Sequence, residues 1–193
     1  WTSKEALEIK ELPKTLVIIG GGVIGMEFAS FFTSLGVQVT VVEMLDEILG
    51  GMDKELSAML RAEYAKKGIK FLLSTKVVGV SKGETGITVS YENADGTGTV
   101  TADKLLMSVG RRPVTKGFGL ENLNLEWTER RCIKVDEHLQ SSVPGVYVCG
   151  DLNGVSLLAH TAVREAEVAV HHITGKEDVT VSYTHLTLPT NRE

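Results

Sequence analysis

Gly20, Gly22 and Gly25 fit the spacing G-x-G-x-x-G, whose chemistry is to cradle a pyrophosphate. The first glycine lets the chain turn sharply. The second leaves the backbone bare for an approaching phosphate, and the third lets a helix pack closely on a strand. Glu43 follows at roughly the 20-residue spacing from which an acid accepts hydrogen bonds from an adenosine ribose. A carboxylate there repels a 2′-phosphate, and no Arg or Lys between Glu43 and Met52 could receive one, so the pattern favours NAD over NADP. A weaker signal is Gly150-Asp151, which follows an apolar run where an open α/β sheet presents its ligand edge. Cys132 and Cys149 lack C-x-x-C-like spacing. Cys149 reads as a buried structural thiol and Cys132, behind Arg130 and Arg131, as an inert exposed one. His138, His171 and His172 have no metal-ligand spacing with acids or cysteines and read as solvated.

Such a glycine turn needs a strand before it and a helix after it. Leu16 to Ile19 is an apolar, β-branched run suited to a buried parallel strand. Ile24, Phe28, Phe31 and Leu35 then recur at helical spacing, Gly36 ends the helix, and Val37 to Val42 starts a second strand. Asp53 predicts the cap of a helix to Lys67, with Leu56, Leu60 and Tyr64 on one face and Gly68 as terminator. Ile69 to Leu73 completes a β-α-β-α-β half of a dinucleotide-binding domain. Val77 to Val80, Ile87 to Tyr91 and Gly98 to Thr101 predict an antiparallel meander inserted before a last parallel strand, Lys104 to Val109. Pro113 bars further pairing, and residues 114 to 132 look irregular. Ile133 to Val135 and Val146 to Cys149 predict two more strands. Leu158, Ala162, Ala166, Ala169 and Ile173 define a last helix.

The chain has 193 residues, 42% of them hydrophobic and 23% charged, enough for one large or two small domains with real cores. Its net charge of -5, without a basic stripe, argues against nucleic acid. No apolar run is long enough to span a bilayer and no signal-peptide pattern opens the chain, so no membrane role is expected. Two cysteines suit a reducing compartment, which points to the cytoplasm.

Three motifs together give the chain a close resemblance to the FAD-dependent pyridine nucleotide–disulfide oxidoreductases, from about Thr2 to about Lys176. They are Gly-Gly-Gly-Val-Ile-Gly-Met-Glu at 20–27, Ser-Val-Gly-Arg-Arg-Pro at 108–113 and Val-Pro-Gly-Val-Tyr-Val-Cys-Gly-Asp at 143–151. Leu-Leu-Ala-His-Thr-Ala at 157–162 is most similar to the dihydrolipoyl dehydrogenase branch. Glutathione and mercuric reductases and NADH oxidases are its neighbours; a stand-alone NAD-binding module is the reading from another class. The resemblance implies an α/β fold: a Rossmann-like NAD-binding domain over 1–112, with lead-in segment 1–12 and the meander, then the returning part of an FAD-binding domain over 113–181. It implies that Gly20, Gly21, Gly22, Val23, Ile24, Gly25, Met26 and Glu27 hold the NAD pyrophosphate, with Glu43 on the ribose. Glu27 would lie where nicotinamide meets flavin, and Val77 and Gly110 would line the adenine and nicotinamide regions. Asp151 would bind a ribityl hydroxyl of FAD, and Leu157, Leu158, Ala159 and His160 would contact FAD mostly through backbone.

The same resemblance implies a redox-active cysteine pair and a His–Glu acid–base pair that this chain does not carry. No catalytic residue and no metal ligand is therefore expected in it, and the chain alone is expected to bind NAD(H) weakly without turning over lipoamide. The resemblance further implies a homodimeric parent, possibly within a 2-oxo acid dehydrogenase or glycine cleavage complex. Residues 182–193 do not continue the pattern and look similar to translated adapter sequence, so His185 is not the acid–base histidine. Apolar area is expected to stay uncovered on the last helix and the strand before it.

Overall fold

The structure, a computed structural model, describes residues 1–84 and 86–179. The segment 182–193, with His185, lies outside the described residues. Two compact units divide the chain, Trp1–Gly110 and a second beginning at Arg111.

In the first unit a short helix, α1 (Ser3–Leu7), leads into β1 (Thr15–Ile19). Leu16 to Ile19 are all buried, as a central strand covered on both faces requires. α2 (Val23–Ser34) carries the chain over to β2 (Gln38–Val42), parallel to β1 with Ile18 opposite Val41. α3 (Lys54–Lys66) leads to β3 (Lys70–Leu72), and the last parallel strand, β7 (Lys104–Met107), pairs on the other side of β1. The resulting order, β3-β2-β1-β7, puts the β1–α2 turn at the centre of the sheet's carboxyl edge.

Strand alternation divides the core. Leu16, Ile18, Val39 and Val41 pack with Met26, Ala29 and Phe32 of α2. Val17, Ile19 and Val42 face the opposite way and pack with Val89 and Ala102 of the meander. That meander is β4 (Lys76–Lys82), β5 (Ile87–Asn93) and β6 (Gly96–Ala102), paired antiparallel with a bulge between Val77 and Gly79.

The helix faces differ from those read off the apolar spacing. In α2 the buried stripe is Gly25, Met26, Ala29 and Phe32, whereas Phe31 and Leu35 are exposed. The face that meets the sheet combines Gly25 and Ala29, which allow close approach, with Met26 and Phe32, which fill the core between them. In α3 Ser57 is buried and Leu60 and Tyr64 pack on the core, but Leu56 is exposed. Asp53 caps α3 as expected, its Oδ1 accepting the N–H groups of Glu55 (2.9 Å) and Leu56 (3.2 Å).

The second unit runs irregularly to a short 3-10 turn at Leu120–Asn122. The two strands expected at 133–135 and 146–149 form only isolated bridges, Trp127 with Ile133, Val135 with Ser141 and Gln140 with Tyr147. Tight turns separate these segments: Asp136 Oδ1 accepts from the N–H groups of His138 and Gln140, and the Val146 N–H donates to the Val143 carbonyl to close the next turn, so each pairing ends after one residue. A 3-10 turn at Gly150–Leu152 precedes α4 (Ala159–Ile173). Thr161, Glu165, Val168 and Ala169 form the buried face of α4; of the expected stripe Ala169 is buried and Ala162 half-buried, whereas Leu158, Ala166 and Ile173 are exposed.

The cysteines and histidines also depart from expectation. Cys132 is buried and Cys149 only half-buried. Gly175 ends α4, and the chain after it brings Asp178 back to His171 Nδ1 at 2.7 Å and to Arg164 at 2.6 Å. His138 stacks on His172 with ring centroids 4.3 Å apart, and His172 Nδ1 lies 2.8 Å from the Tyr147 hydroxyl. The three histidines are thus half-buried parts of a polar network rather than solvated.

Candidate functional site

The glycine turn is built by steric exclusion. Gly20 sits at φ +104°, a conformation that glycine alone adopts without strain, and a Cβ there would meet Ser108 O at 2.5 Å. A Cβ on Gly25 would lie 2.0 Å from Gly20 O. Gly22 is different: its Cβ would meet nothing within 4 Å. Two of the three glycines are therefore needed by the fold itself. The middle one leaves open space at the start of α2, whose N-cap position has no side-chain cap and whose first turn holds no acid. Free N–H groups at the end of a 12-residue helix, beside bare backbone, suit a pyrophosphate.

Glu43, at the end of β2, is half-buried and serves both sides of this turn. Its Oε2 accepts from Gly21 N–H and its Oε1 from Leu45 N–H at 2.8 Å. The carboxylate thus fixes the glycine turn while keeping acceptor capacity for ribose hydroxyls. Val77 is half-buried against the second apolar cluster, and Gly110 is exposed at the end of this unit with φ +117°. Of residues 23 to 27, Met26 is buried in the core and can offer a ligand only its main chain; Val23 and Glu27 are exposed, and Ile24 is half-buried.

Several residues that the sequence reading left without a role hold this turn. Ser108 Oγ donates to Ile19 O and Gly20 O, each at 2.9 Å, directly under the turn. Leu49 N–H donates to Gly21 O at 2.8 Å, so the loop after Glu43 folds back onto the glycines. Arg61 of α3 grips Glu47 of that loop with two hydrogen bonds, 2.8 and 3.0 Å, and the next residue, Ile48, is buried in the core. The same pair holds the Glu47 carboxyl below the usual glutamate range. Glu47 and Arg61 stand in a loop and on a helix face, and only the folded chain pairs them.

In the second unit Asp151 is exposed on the 3-10 turn after Gly150. Leu157, Leu158, Ala159 and His160 are exposed at the start of α4, whose N-terminus has no side-chain cap. A helix start without a side-chain cap, beside an exposed carboxylate, suits a polar ligand gripped through backbone. Beneath them lies Glu165, 0% exposed, whose Oε2 accepts from Gly150 N–H and from Asn153 Nδ2 at 3.0 Å. Burial, reinforced by the charge of Glu165, pushes the Cys149 thiol up. No cluster of acids, histidines and cysteines among the described residues could hold a metal ion. No helix among them is long and apolar enough to cross a membrane.

The family model described as pyridine nucleotide-disulphide oxidoreductase matches residues 1–166. Dihydrolipoyl dehydrogenase of Thermus scotoductus is 41% identical over 179 residues, 91% of this chain and 39% of that protein. Among solved structures, LpdA from Mycobacterium tuberculosis superimposes with a TM-score of 0.85 at 29% identity, covering 94% of this chain and 39% of that one. The HOCl-induced flavoprotein disulfide reductase RclA from Escherichia coli gives 0.83 at 28% identity, covering 92% and 40%. The chain thus spans about two fifths of the length of each of these proteins.

Proposed function

Because the chain belongs to the pyridine nucleotide-disulphide oxidoreductase family, we propose that it forms the NAD site and part of the FAD site of a dihydrolipoyl dehydrogenase-like flavoprotein. The observation that carries this reading is the asymmetry of the fingerprint: Gly20 and Gly25 are sterically required, whereas Gly22 faces open space. A turn needed only for folding has no use for the middle glycine. Residues 20–27 hold the pyrophosphate, Glu43 takes the adenosine ribose and excludes a 2′-phosphate, and Val77 and Gly110 line the adenine and nicotinamide regions. Glu27, exposed on α2, is assigned to the nicotinamide end. Asp151 accepts from a ribityl hydroxyl, and the backbone of 157–160 grips the flavin side. When bound, FAD relays an electron pair from a dithiol and NAD accepts it as hydride. The protein positions and orients; none of its residues here is assigned a catalytic role. The parent is proposed as a homodimer serving a 2-oxo acid dehydrogenase or glycine cleavage complex.

Gly22→Ala tests the NAD site. Its φ of -72° suits any residue, so the melting midpoint should stay within a degree or so of the parent. NADH binding, followed by nicotinamide fluorescence, should weaken by about tenfold or more, equivalent to about 1.4 kcal/mol. Equal NADH affinity in the two proteins would remove the pyrophosphate from this turn. A second reading, a stand-alone NAD-binding module, is favoured by one observation: the first unit has a complete sheet and its own apolar clusters. FAD binding at 150–160 separates the two, since a pure NAD module has no use for that surface.

A further inference from the structure

Among the described residues Glu165 is the one acid that is completely buried, and nothing in the proposed NAD chemistry uses it. It stands on the inner face of α4, one turn beyond Thr161. Its Oε2 takes two donors, the Gly150 N–H and Asn153 Nδ2. Asn153 continues the tie: its Nδ2 also donates to Val148 O at 3.3 Å, and its Oδ1 accepts from Val155 N–H at 2.8 Å. One carboxylate and one amide therefore fasten the whole segment 148–155, which carries Asp151 between them. Gly150 is held at φ +76°, and a Cβ there would press on Ala162 of α4 at 3.3 Å, so the turn and the helix fit closely. The second carboxylate oxygen, Oε1, has no hydrogen-bond partner among the described residues. Burying a carboxylate with half its acceptors idle is costly. A fold retains such a group where its geometry matters.

We propose that Glu165 is a positioning residue for the flavin side of the site: through Gly150 N–H and Asn153 it sets the turn that presents Asp151. This rests on the reading of Asp151 and residues 157–160 as FAD contacts. Asp151 sits within the 3-10 turn Gly150–Leu152, so its aim follows from how that turn is held. The helix that supplies Glu165 also begins at Ala159, so one rigid element sets both halves of the contact.

The test uses FAD itself, titrated to millimolar concentration into the 193-residue chain while the backbone amides are followed by NMR. In the parent, the amides of Gly150, Asp151 and 158–160 should shift together. Glu165→Ala should weaken that response roughly tenfold, as expected when a hydrogen bond to a charged group is removed. Glu165→Gln, whose amide oxygen can still accept from Gly150 N–H, should restore most of it. Asn153→Ala, which leaves Glu165 in place, should give a milder loss and serves if Glu165→Ala does not fold. Val168→Ala, a cavity on the same buried face, should lower the melting midpoint and leave FAD affinity unchanged. Unchanged FAD affinity in both Glu165→Ala and Asn153→Ala overturns the proposal, as does an equal loss in Val168→Ala. If the parent shows no FAD response, or Asp151→Ala binds FAD as the parent does, the flavin reading itself fails and the proposal with it.

Discussion

Each fingerprint residue carries a different mixture of structural and binding duty, and variants separate the two. Gly25→Ala would place a methyl 2.0 Å from Gly20 O, so the helix must move off the strand. Overpacking of this kind costs about 1–3 kcal/mol, which should appear as a lowered melting midpoint whether or not NADH is present. Glu43→Ala should move both observables. It strands the Gly21 N–H of a buried residue, a loss of about 1–3 kcal/mol, leaves the exposed Leu45 N–H to water, and removes the ribose acceptor, so NADH affinity falls as well. With Gly22→Ala altering affinity alone, the three variants define three patterns. A Glu43→Ala protein that melts like the parent would show that its hydrogen bonds to the loop are dispensable.

At the scale of elements, what the sequence revealed and what it hid have distinct causes. The strand–turn–helix–strand order, the Asp53 cap and the meander were legible because they depend on local composition and turn chemistry. Helix faces were not, because apolar spacing in α2 offers two stripes, and only packing against β1 and β2 decides that Ala29 and Phe32 go inward and Phe31 outward. Glu165 was hidden for a related reason: a buried acid reads as a surface acid until its partners fold against it. The Glu47–Arg61 pair joins the loop after β2 to α3 and has a pH signature. Hydrogen bonds from Arg61 lower the Glu47 pKa in the folded chain, so its stabilisation is fully present above about 4.3, the ordinary glutamate value. It is lost as pH falls through the lowered folded value. Glu47→Gln should therefore melt below the parent at pH 7 and approach it toward pH 3 in thermal scans. A constant gap across that range would assign its effect to packing instead. Asp53→Ala removes a cap with two acceptor contacts and should cost about 1 kcal/mol in urea unfolding, independent of this pH window.

At the scale of the molecule, the two units have separate means of support. The first has a four-stranded parallel sheet, a three-stranded meander and two apolar clusters drawn from residues 6–106. The second has no strand ladder among its described residues and two smaller clusters, drawn from residues 120–169. Burial of apolar area is the main source of stability, so the first unit should be the more robust. The second also leaves large apolar side chains in water, among them Leu157, Leu158, Val163, Val170 and Ile173. A soluble monomer does not normally gather so many on one short segment. Residues 111–118, exposed or half-exposed and without regular structure, are the natural site for proteolytic nicking. Brief digestion should therefore release a fragment ending near Gly110. That fragment should bind NADH as tightly as the whole chain, because every residue assigned to NAD lies within it. Hydrophobic-dye fluorescence should fall when the second unit is removed: stronger with the whole chain than with residues 1–110 alone. Equal dye binding by the 1–110 fragment would place the uncovered surface on the NAD side, at Val23, Phe31 and Leu35, which are the exposed apolar residues of α2 and its C-cap.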